Sequence, residues 1–284
     1  MWMAYAVIIV ILFCFIAYFI YRGNKNTYDV NIKTIELNHG KDTNDIPLRI
    51  LHLSDLHLEN MPISPEKLYN DLKEQPIDLI ALTGDYLDRK RTIPKIIPYL
   101  EVIRKLNPTF GSYAVFGNHD YVLREKYFQQ LKSLLNDYNI KTMQNENETI
   151  QVHGKLVHII GIDDYSTNRS DMEKSYTGIK KGYKLVLTHD PNIVLEMKNY
   201  KYHYLLSGHF HGGQIYWPKP YHLLKMGKLV RMNMVKGLHF HHGRPFYISE
   251  GLGQTGVNIR IGSRPEITFH HISIAKAEKT TIAG

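Results

Sequence analysis

Two histidines one residue apart, His209 and His211 in "LSGHFHGGQ" (205–213), are flanked by glycines. At the end of an extended segment, residues i and i+2 point to one face. Glycines beside them allow a sharp turn and leave room for a phosphate. Four other short stretches carry the same residue types. "SDLH" sets Asp55 and His57 at the same spacing, "TGDYLD" supplies Asp85 and Asp88, "GNHD" supplies Asn118 and His119, and "LTHD" supplies His189. Taken singly, each has an ordinary explanation: Asp55 as a turn or helix cap, Asn118 as a turn residue, His189 as a loop histidine. Five in succession, each closing an apolar run, are better explained together, as ligands of metal.

The chain holds a single cysteine, Cys14, so neither a disulfide framework nor a thiolate metal site is available. The donors left are carboxylate, imidazole and amide oxygen, which suit Mn²⁺, Fe²⁺/Fe³⁺ or Zn²⁺. Seven such ligands are too many for one tetrahedral ion. They suit two ions about 3.5–4 Å apart sharing a carboxylate, the arrangement used for phosphoryl hydrolysis. Such a pair lowers the pKa of a trapped water and neutralises phosphate oxygens.

The elements that must position these residues follow from hydrophobic pattern. Buried strands are expected at 47–55, 77–85 and 111–120, with helices near 64–74, 93–106 and 121–138 between and after them. Further strands are expected at 156–163, 183–190, 202–209, 244–249 and 264–274, and a mixed-face strand at 28–39. Apolar strands alternating with helices indicate an α/β fold, in which ligand sites lie at the carboxyl ends of the strands. All the candidate residues then converge on one rim.

The blocks D-x-H, G-D-x-x-D, G-N-H-D, a lone H and G-H-x-H, in that order across residues 55–211, resemble the signature of the calcineurin-like metallophosphoesterases. The resemblance implies a four-layer αββα sandwich. It implies that Asp55, His57 and His211 hold one metal, that Asn118, His189 and His209 hold the other, and that Asp85 bridges them. His119 would stand outside the coordination shell, stabilising the transition state or protonating the leaving oxygen, with Asp88 orienting it. "LSDLHL", "GNHDY", "SGHFHGGQI" and "YISEGLGQTGVNIRIGSRPEIT" are similar to the bacterial membrane-anchored YkuE/YaeI-type branch, related to hydrolases that split UDP-2,3-diacylglucosamine. The expected reaction is hydrolysis of a phosphodiester or pyrophosphate bond by hydroxide held between two divalent ions. A nuclease or cyclic-nucleotide phosphodiesterase is the alternative, and a non-catalytic metal-binding scaffold is a weaker one. The glycine-rich "GLGQTG" (251–256) reads as a tight loop near the metals rather than a phosphate cradle.

Residues 2–21 carry no charge, enough to span a hydrocarbon core, with Trp2, Tyr18 and Tyr21 near the ends. A cleavable signal peptide is the rival reading, but no basic residue precedes the run and no clear cleavage site follows. The expected organisation is a transmembrane anchor over 1–22, a linker with a possible first strand over 23–47, and a catalytic domain over 48–284. Arg22 and Lys25 follow the span and no basic residue precedes it, which favours a cytoplasmic body.

The net charge of +8 suits anionic partners without choosing among them. No acidic residue lies between Glu196 and Glu250, and Lys225, Lys228 and Arg231 fall there among Trp217, Leu223, Leu224 and Met226. This is either a solvated basic loop with ordinary core residues, or a lip over 217–236 that rests on a bilayer and admits a lipid-linked phosphate. The expected partners are thus the membrane and a lipid-linked or nucleotide-linked phosphate. No dedicated nucleic-acid partner is expected, because the aromatic-basic interleaving of single-strand binders is confined to this one segment.

Overall fold

The computed structural model describes residues 1–37, 46–217 and 219–274. Helix α1 (Trp2–Asn26) is followed by strands β1 (Asn31–Leu37) and β2 (Ile46–Leu53), helix α2 (Pro65–Leu72), β3 (Leu79–Thr83), helix α3 (Ile93–Leu106), β4 (Ser112–Val115), helix α4 (Glu125–Asp137) and β5 (Ile140–Thr142). The chain continues through β6 (Glu146–Val152), β7 (Lys155–Gly161), β8 (Tyr183–Leu187), β9 (Tyr204–Ser207), β10 (Gly237–His241), β11 (Arg244–Ile248) and β12 (Glu266–Ile274).

The strands form two six-stranded sheets, ordered β1-β12-β2-β3-β4-β5 and β10-β11-β9-β8-β7-β6. The inner strands of each sheet are covered on both faces, so they read as nearly continuous hydrophobic runs. In β2, Leu48 and Ile50 face the opposite sheet, whereas Leu51 and Leu53 face helices. Leu79 and Ala81 of β3 repeat the pattern against Ile80 and Leu82. Between the sheets these side chains meet Val157, Ile159, Leu185, Leu187 and Leu206. The outer face of the first sheet is covered by Leu68 of α2, Ile96 and Leu100 of α3, and Phe128 and Leu131 of α4. On the second sheet the outer cover is 3-10 turns and short helical segments, contributing Ile193, Val194, Met197, Leu223, Leu229 and Val230. The result is the expected four-layer α/β sandwich preceded by an apolar helix, its fourth layer short and irregular.

Some boundaries differ from the pattern-based expectation. The helix expected over 121–138 begins only at Glu125, because residues 120–122 form a 3-10 turn and Leu123 is extended. β5, β6 and β10 were not expected. β6 and β10 lie at sheet edges, and β6, "ENETIQV", carries polar residues on its open face, so neither shows an apolar run. Helix α1 continues past the apolar stretch to Asn26, so the polar segment read as a linker starts as its last turn. Of the strand expected at 28–39, β1 covers Asn31–Leu37, and 38–39 lie outside the described residues, as does the rest of the linker to 45.

Candidate active site

In the first sheet β2, β3 and β4 run parallel; in the second β7, β8, β9 and β11 do. Their carboxyl ends meet at one end of the sandwich, so the rim is shared by two sheets rather than built on one. Asp55 and His57 follow β2, Asp85 and Asp88 follow β3, and Asn118 and His119 follow β4. His189 follows β8, and His209 and His211 follow β9. Backbone bonds lace these loops together: Asp55 N–H donates to the Gly84 carbonyl (3.0 Å), His57 N–H to that of Asp85 (3.1 Å), and Gly208 N–H to that of His189 (3.1 Å).

Five of these residues occupy the left-handed backbone region that side chains disfavour: Asp55 (φ 50°), His57 (35°), Asp85 (55°), His209 (77°) and His211 (49°). Such strain persists where surrounding structure over-determines it, typically at functional sites. It also corrects the simple alternation expected for His209 and His211. β9 ends at Ser207, and the left-handed residues send the two rings to different neighbours. His209 Nδ1 lies 3.1 Å from His189 Nε2, while the His211 ring packs 4.9 Å from that of His57. Two of the glycines beside the candidate ligands let the chain's own carboxylates approach closely. A Cβ on Gly208 would lie 2.2 Å from Asp55 Oδ2, and one on Gly117 would lie 2.2 Å from Asp85 Oδ1.

The donor atoms form three groups, each within metal-binding reach: Asp55, His57 and His211; Asp85, His189 and His209; and His57, Asp88 and His119. Asp85 Oδ2 lies 3.1 Å from His189 Nε2 and 3.5 Å from His57 Nε2, between the first two groups. His189 Nδ1 donates to the Thr83 carbonyl (2.7 Å), which leaves Nε2 as its ligand atom. His57 Nε2, His211 Nδ1 and Asn118 Oδ1 are buried without a hydrogen-bond partner. Unsatisfied buried donors and acceptors are costly in a native fold. Here they point, with the clustered carboxylates, to a cationic occupant, and the oxygen and imidazole donors fit two divalent ions.

Asp88 does more than the expected orientation of His119. Its Oδ1 lies 3.0 Å from both His119 Nδ1 and His57 Nδ1, so one carboxylate oxygen holds two imidazoles. Burial of Asp88 pushes its pKa up, but those two histidines outweigh it and the net shift is downward. For His119, burial disfavours the charged ring, but Asp88 and Asp85 push its pKa up to about 9. The mirror case is His211, held well down first by burial and then by the neighbouring His57 and Arg260 charges.

Several positioning residues escaped the motif reading. Asp120, the last residue of "GNHD", is fully buried and accepts from three backbone N–H groups: Asp85 and Gly117 at Oδ2, and Tyr86 at Oδ1, each at 2.9 Å. Its place as the fourth letter of the GNHD block was the available signal. Behind Asp55 a buried polar chain runs from Ser54 Oγ (2.6 Å from Asp55 Oδ2) through Thr83 to His52 and His270, ending on Tyr204. Nothing in sequence spacing announces it. The "GLGQTG" loop is the expected tight structural segment: Leu252 and Gly253 N–H donate to the carbonyls of Ser54 and Asp55.

The basic segment divides. Lys225 and Lys228 line a cavity of about 450 Å³ with His209, Asp190 and Asn192, beside the histidine cluster. Arg231 is not part of that wall; its guanidinium reaches the Leu224 carbonyl at 3.4 Å. Leu223 and Val230 are buried in core, whereas Trp217 and Leu224 remain exposed. On the far side, Arg89, Arg91 and Lys95 line a cavity of about 660 Å³ with Asp88.

Residues 48–213 match the family described as calcineurin-like phosphoesterase, and the chain belongs to that family of metal-dependent phosphoesterases, which work with a dimetal centre. It is 64% identical over 258 residues to YkoQ of Bacillus subtilis (strain 168), an uncharacterized metallophosphoesterase, an overlap of 89% of this chain and 94% of YkoQ. YkuE of the same organism, also described as a metallophosphoesterase, is 30% identical over 250 residues, covering 85% and 83%. A more distant relative is LpxG of Chlamydia muridarum (strain MoPn / Nigg), a UDP-2,3-diacylglucosamine pyrophosphatase, at 24% identity over 274 residues, covering 78% and 82%.

Proposed function

We propose that this phosphoesterase is anchored in the cell membrane by residues 1–22, with a catalytic domain over 48–284 on the cytoplasmic side, and that it hydrolyses a phosphodiester or pyrophosphate bond in a lipid-linked or nucleotide-linked substrate. The observation that carries the reading is Asp85 Oδ2 lying between the Asp55–His57–His211 and His189–His209 groups, where a bridging carboxylate belongs. Asp55, His57 and His211 would hold one ion, Asn118, His189 and His209 the other, and Asp85 both.

Two divalent ions, when bound there, lower the pKa of water and neutralise the charge on the phosphate. The chain's own residues supply the rest. His119, held through Nδ1 by Asp88, keeps Nε2 for a hydrogen bond to the substrate and gives its proton to the leaving oxygen. Asp88 stabilises the protonated ring and fixes its orientation. Lys225 and Lys228, on the cavity beside His209, bind further anionic groups of the substrate. Kinship with LpxG supports a substrate of the lipid-linked diphosphate class, and the uncharged stretch 2–21 of the first helix supports the membrane location.

The test uses the full chain in detergent with Mn²⁺, assayed on bis-p-nitrophenyl phosphate, a UDP-linked lipid, a cyclic nucleotide and single-stranded DNA. Asp85→Asn abolishes turnover and lowers bound metal measured by mass spectrometry. His119→Gln keeps its metal and loses about 10²–10⁴-fold in rate, the usual contribution of a positioned acid. Charge reversal of Lys225 and Lys228 weakens turnover of the lipid and spares the small diester. A His119→Gln enzyme as fast as wild type would remove that residue from the chemistry, and preference for DNA or the cyclic nucleotide would overturn the substrate class.

A further inference from the structure

A membrane tether needs no contact with the domain it holds, yet α1 is built into this one. Gly23 is the buried residue of the helix, and a Cβ there would lie 2.3 Å from Ile259 Cγ2. Its carbonyl accepts the Arg260 N–H at 2.9 Å, Asn24 Nδ2 donates to the Asn258 carbonyl at 3.0 Å, and Asn26 Nδ2 to the Arg260 carbonyl at 2.8 Å. The helix end is therefore gripped by residues 258–260 through three hydrogen bonds and a close packing contact.

That gripping segment is itself fastened to the catalytic loops. The Arg260 side chain is fully buried, and its guanidinium donates to the carbonyls of His211 (3.2 Å), Glu250 (2.7 Å), Gly251 (3.0 Å), Gly253 (2.6 Å) and Arg264 (3.0 Å). Both Nη groups of this buried guanidinium are met in this way, whereas Nε is buried without a partner. Gln214, three residues past His211, donates to the carbonyls of Thr255 and Val257, and Ile215 bridges Ile261. From α1 to His211 the hydrogen-bonded contacts are continuous.

A second contact lies further along the helix. Phe19 packs edge-on against Trp217 with ring centres 6.0 Å apart. Phe19 precedes Asn26 by seven residues, about 10 Å along a helix at 1.5 Å per residue. Trp217, a residue of the catalytic body, thus reaches the level of the apolar part of α1. It is 63% exposed, and Val257 in the gripped loop is 57% exposed. Water is a poor solvent for both; a bilayer interface is the natural one, where tryptophan concentrates. Arg22 and Lys25 line a cavity of about 420 Å³ at the foot of the helix together with Arg264, which Asp29 of the same wall holds at 3.0 Å; the two remaining cations suit the anionic headgroup layer.

We infer that Trp217 and Val257 seat in the bilayer beside α1, and that the Arg260 clasp holds the metal site at a fixed attitude and distance from the membrane, for a phosphate carried on an embedded lipid. Trp217 lies six residues after His211, a reach of at most about 22 Å, so His211 lies within about that distance of the interface. The inference rests on α1 spanning the membrane.

The chain contains two tryptophans, Trp2 and Trp217, so each can be isolated by changing the other to phenylalanine. Each full-length variant is reconstituted in phosphatidylglycerol-containing vesicles whose lipids are brominated near the headgroup end of the acyl chains. Trp217, alone in Trp2→Phe, loses most of its fluorescence to bromine and is shielded from aqueous iodide. Adding Gly23→Val, or Asn24→Ala with Asn26→Ala, reverses both effects while hydrolysis of bis-p-nitrophenyl phosphate persists. Quenched Trp2 with unquenched, iodide-accessible Trp217 overturns the seating and leaves the anchor intact. Unquenched Trp2 overturns the anchor and the seating together. Trp217 quenching that survives both clasp variants overturns the role given to the clasp.

Discussion

Asp120 shows how much a single carboxylate can position. It ties the turn after β3 to the turn after β4 by accepting from Asp85, Tyr86 and Gly117 N–H groups, so two loops with candidate ligands share one clamp. Burial and the Asp85 charge push its pKa up, the Gly117 and Tyr86 N–H groups and the His189 charge pull it down, and the net shift is upward. An asparagine there keeps one acceptor oxygen and turns an NH₂ toward a backbone N–H. Asp120→Asn should cost about 1–3 kcal/mol for the group left unsatisfied, seen as a fall of several degrees in Tm. Through Asp85 it should also weaken metal affinity by about 10–100-fold, as loss of an outer partner does. Calorimetry and metal titration check both, and unchanged values in each would show that the clamp carries nothing.

At the scale of elements, the question is what sets the register of parallel strands that no hairpin joins. Between β2 and β3 an ion pair contributes. Asp78 accepts from the Arg49 backbone N–H (2.8 Å), from Nε (2.8 Å) and from Nη2 (2.7 Å), while Asp78 N–H donates back to the Arg49 carbonyl. Burial pushes the pKa of Asp78 up, but the Arg49 bonds and charge prevail and leave it below the usual value. A carboxylate with a depressed folded pKa stabilises above its unfolded pKa and loses that contribution as pH falls through the folded value. Arg49→Met should therefore melt lower than wild type near neutral pH, and the gap should close as pH falls below about 4. Thermal melts across pH test this; a gap independent of pH would mean the ion pair is not its source.

Across the whole molecule, two sheets bring Asp55, Asp85, His57, His189, His209 and His211 into one buried centre, which concentrates like groups and unsatisfied atoms. Divalent ions relieve that cost, so the holoenzyme should be more stable than the chelated protein. Binding to the folded state alone adds about 2.7 kcal/mol at a free concentration one hundred times Kd. Treatment with EDTA should lower Tm and abolish hydrolysis, and Mn²⁺ should restore both, whereas Asp85→Asn should show little response to either. An EDTA-insensitive Tm in the wild-type protein would separate metal binding from folding.

The amino-acid order by itself determined the donor chemistry and the α/β class, because both are local properties. Apolar runs ending in Asp, His or Asn are visible residue by residue, and "IPKIIPYLEVIRKL" marks α3 over the whole of its observed span. Histidine identity alone did not separate site from core: His52 and His270 lie in equally apolar strands, yet burial makes His52 a neutral hydrogen-bonding residue with its pKa pushed down to about 3. Tertiary structure decided how His209 and His211, which the motif resemblance already assigned to different ions, reach different neighbours, since a left-handed φ arises from packing and not from spacing. It also decided that glycines 117 and 208 admit carboxylates, that Asp88 serves two imidazoles, and that Arg260, over 200 residues from Gly23 in sequence, clasps the helix end. Those contacts join segments remote in sequence, and nothing local encodes which distant carbonyl a donor will meet.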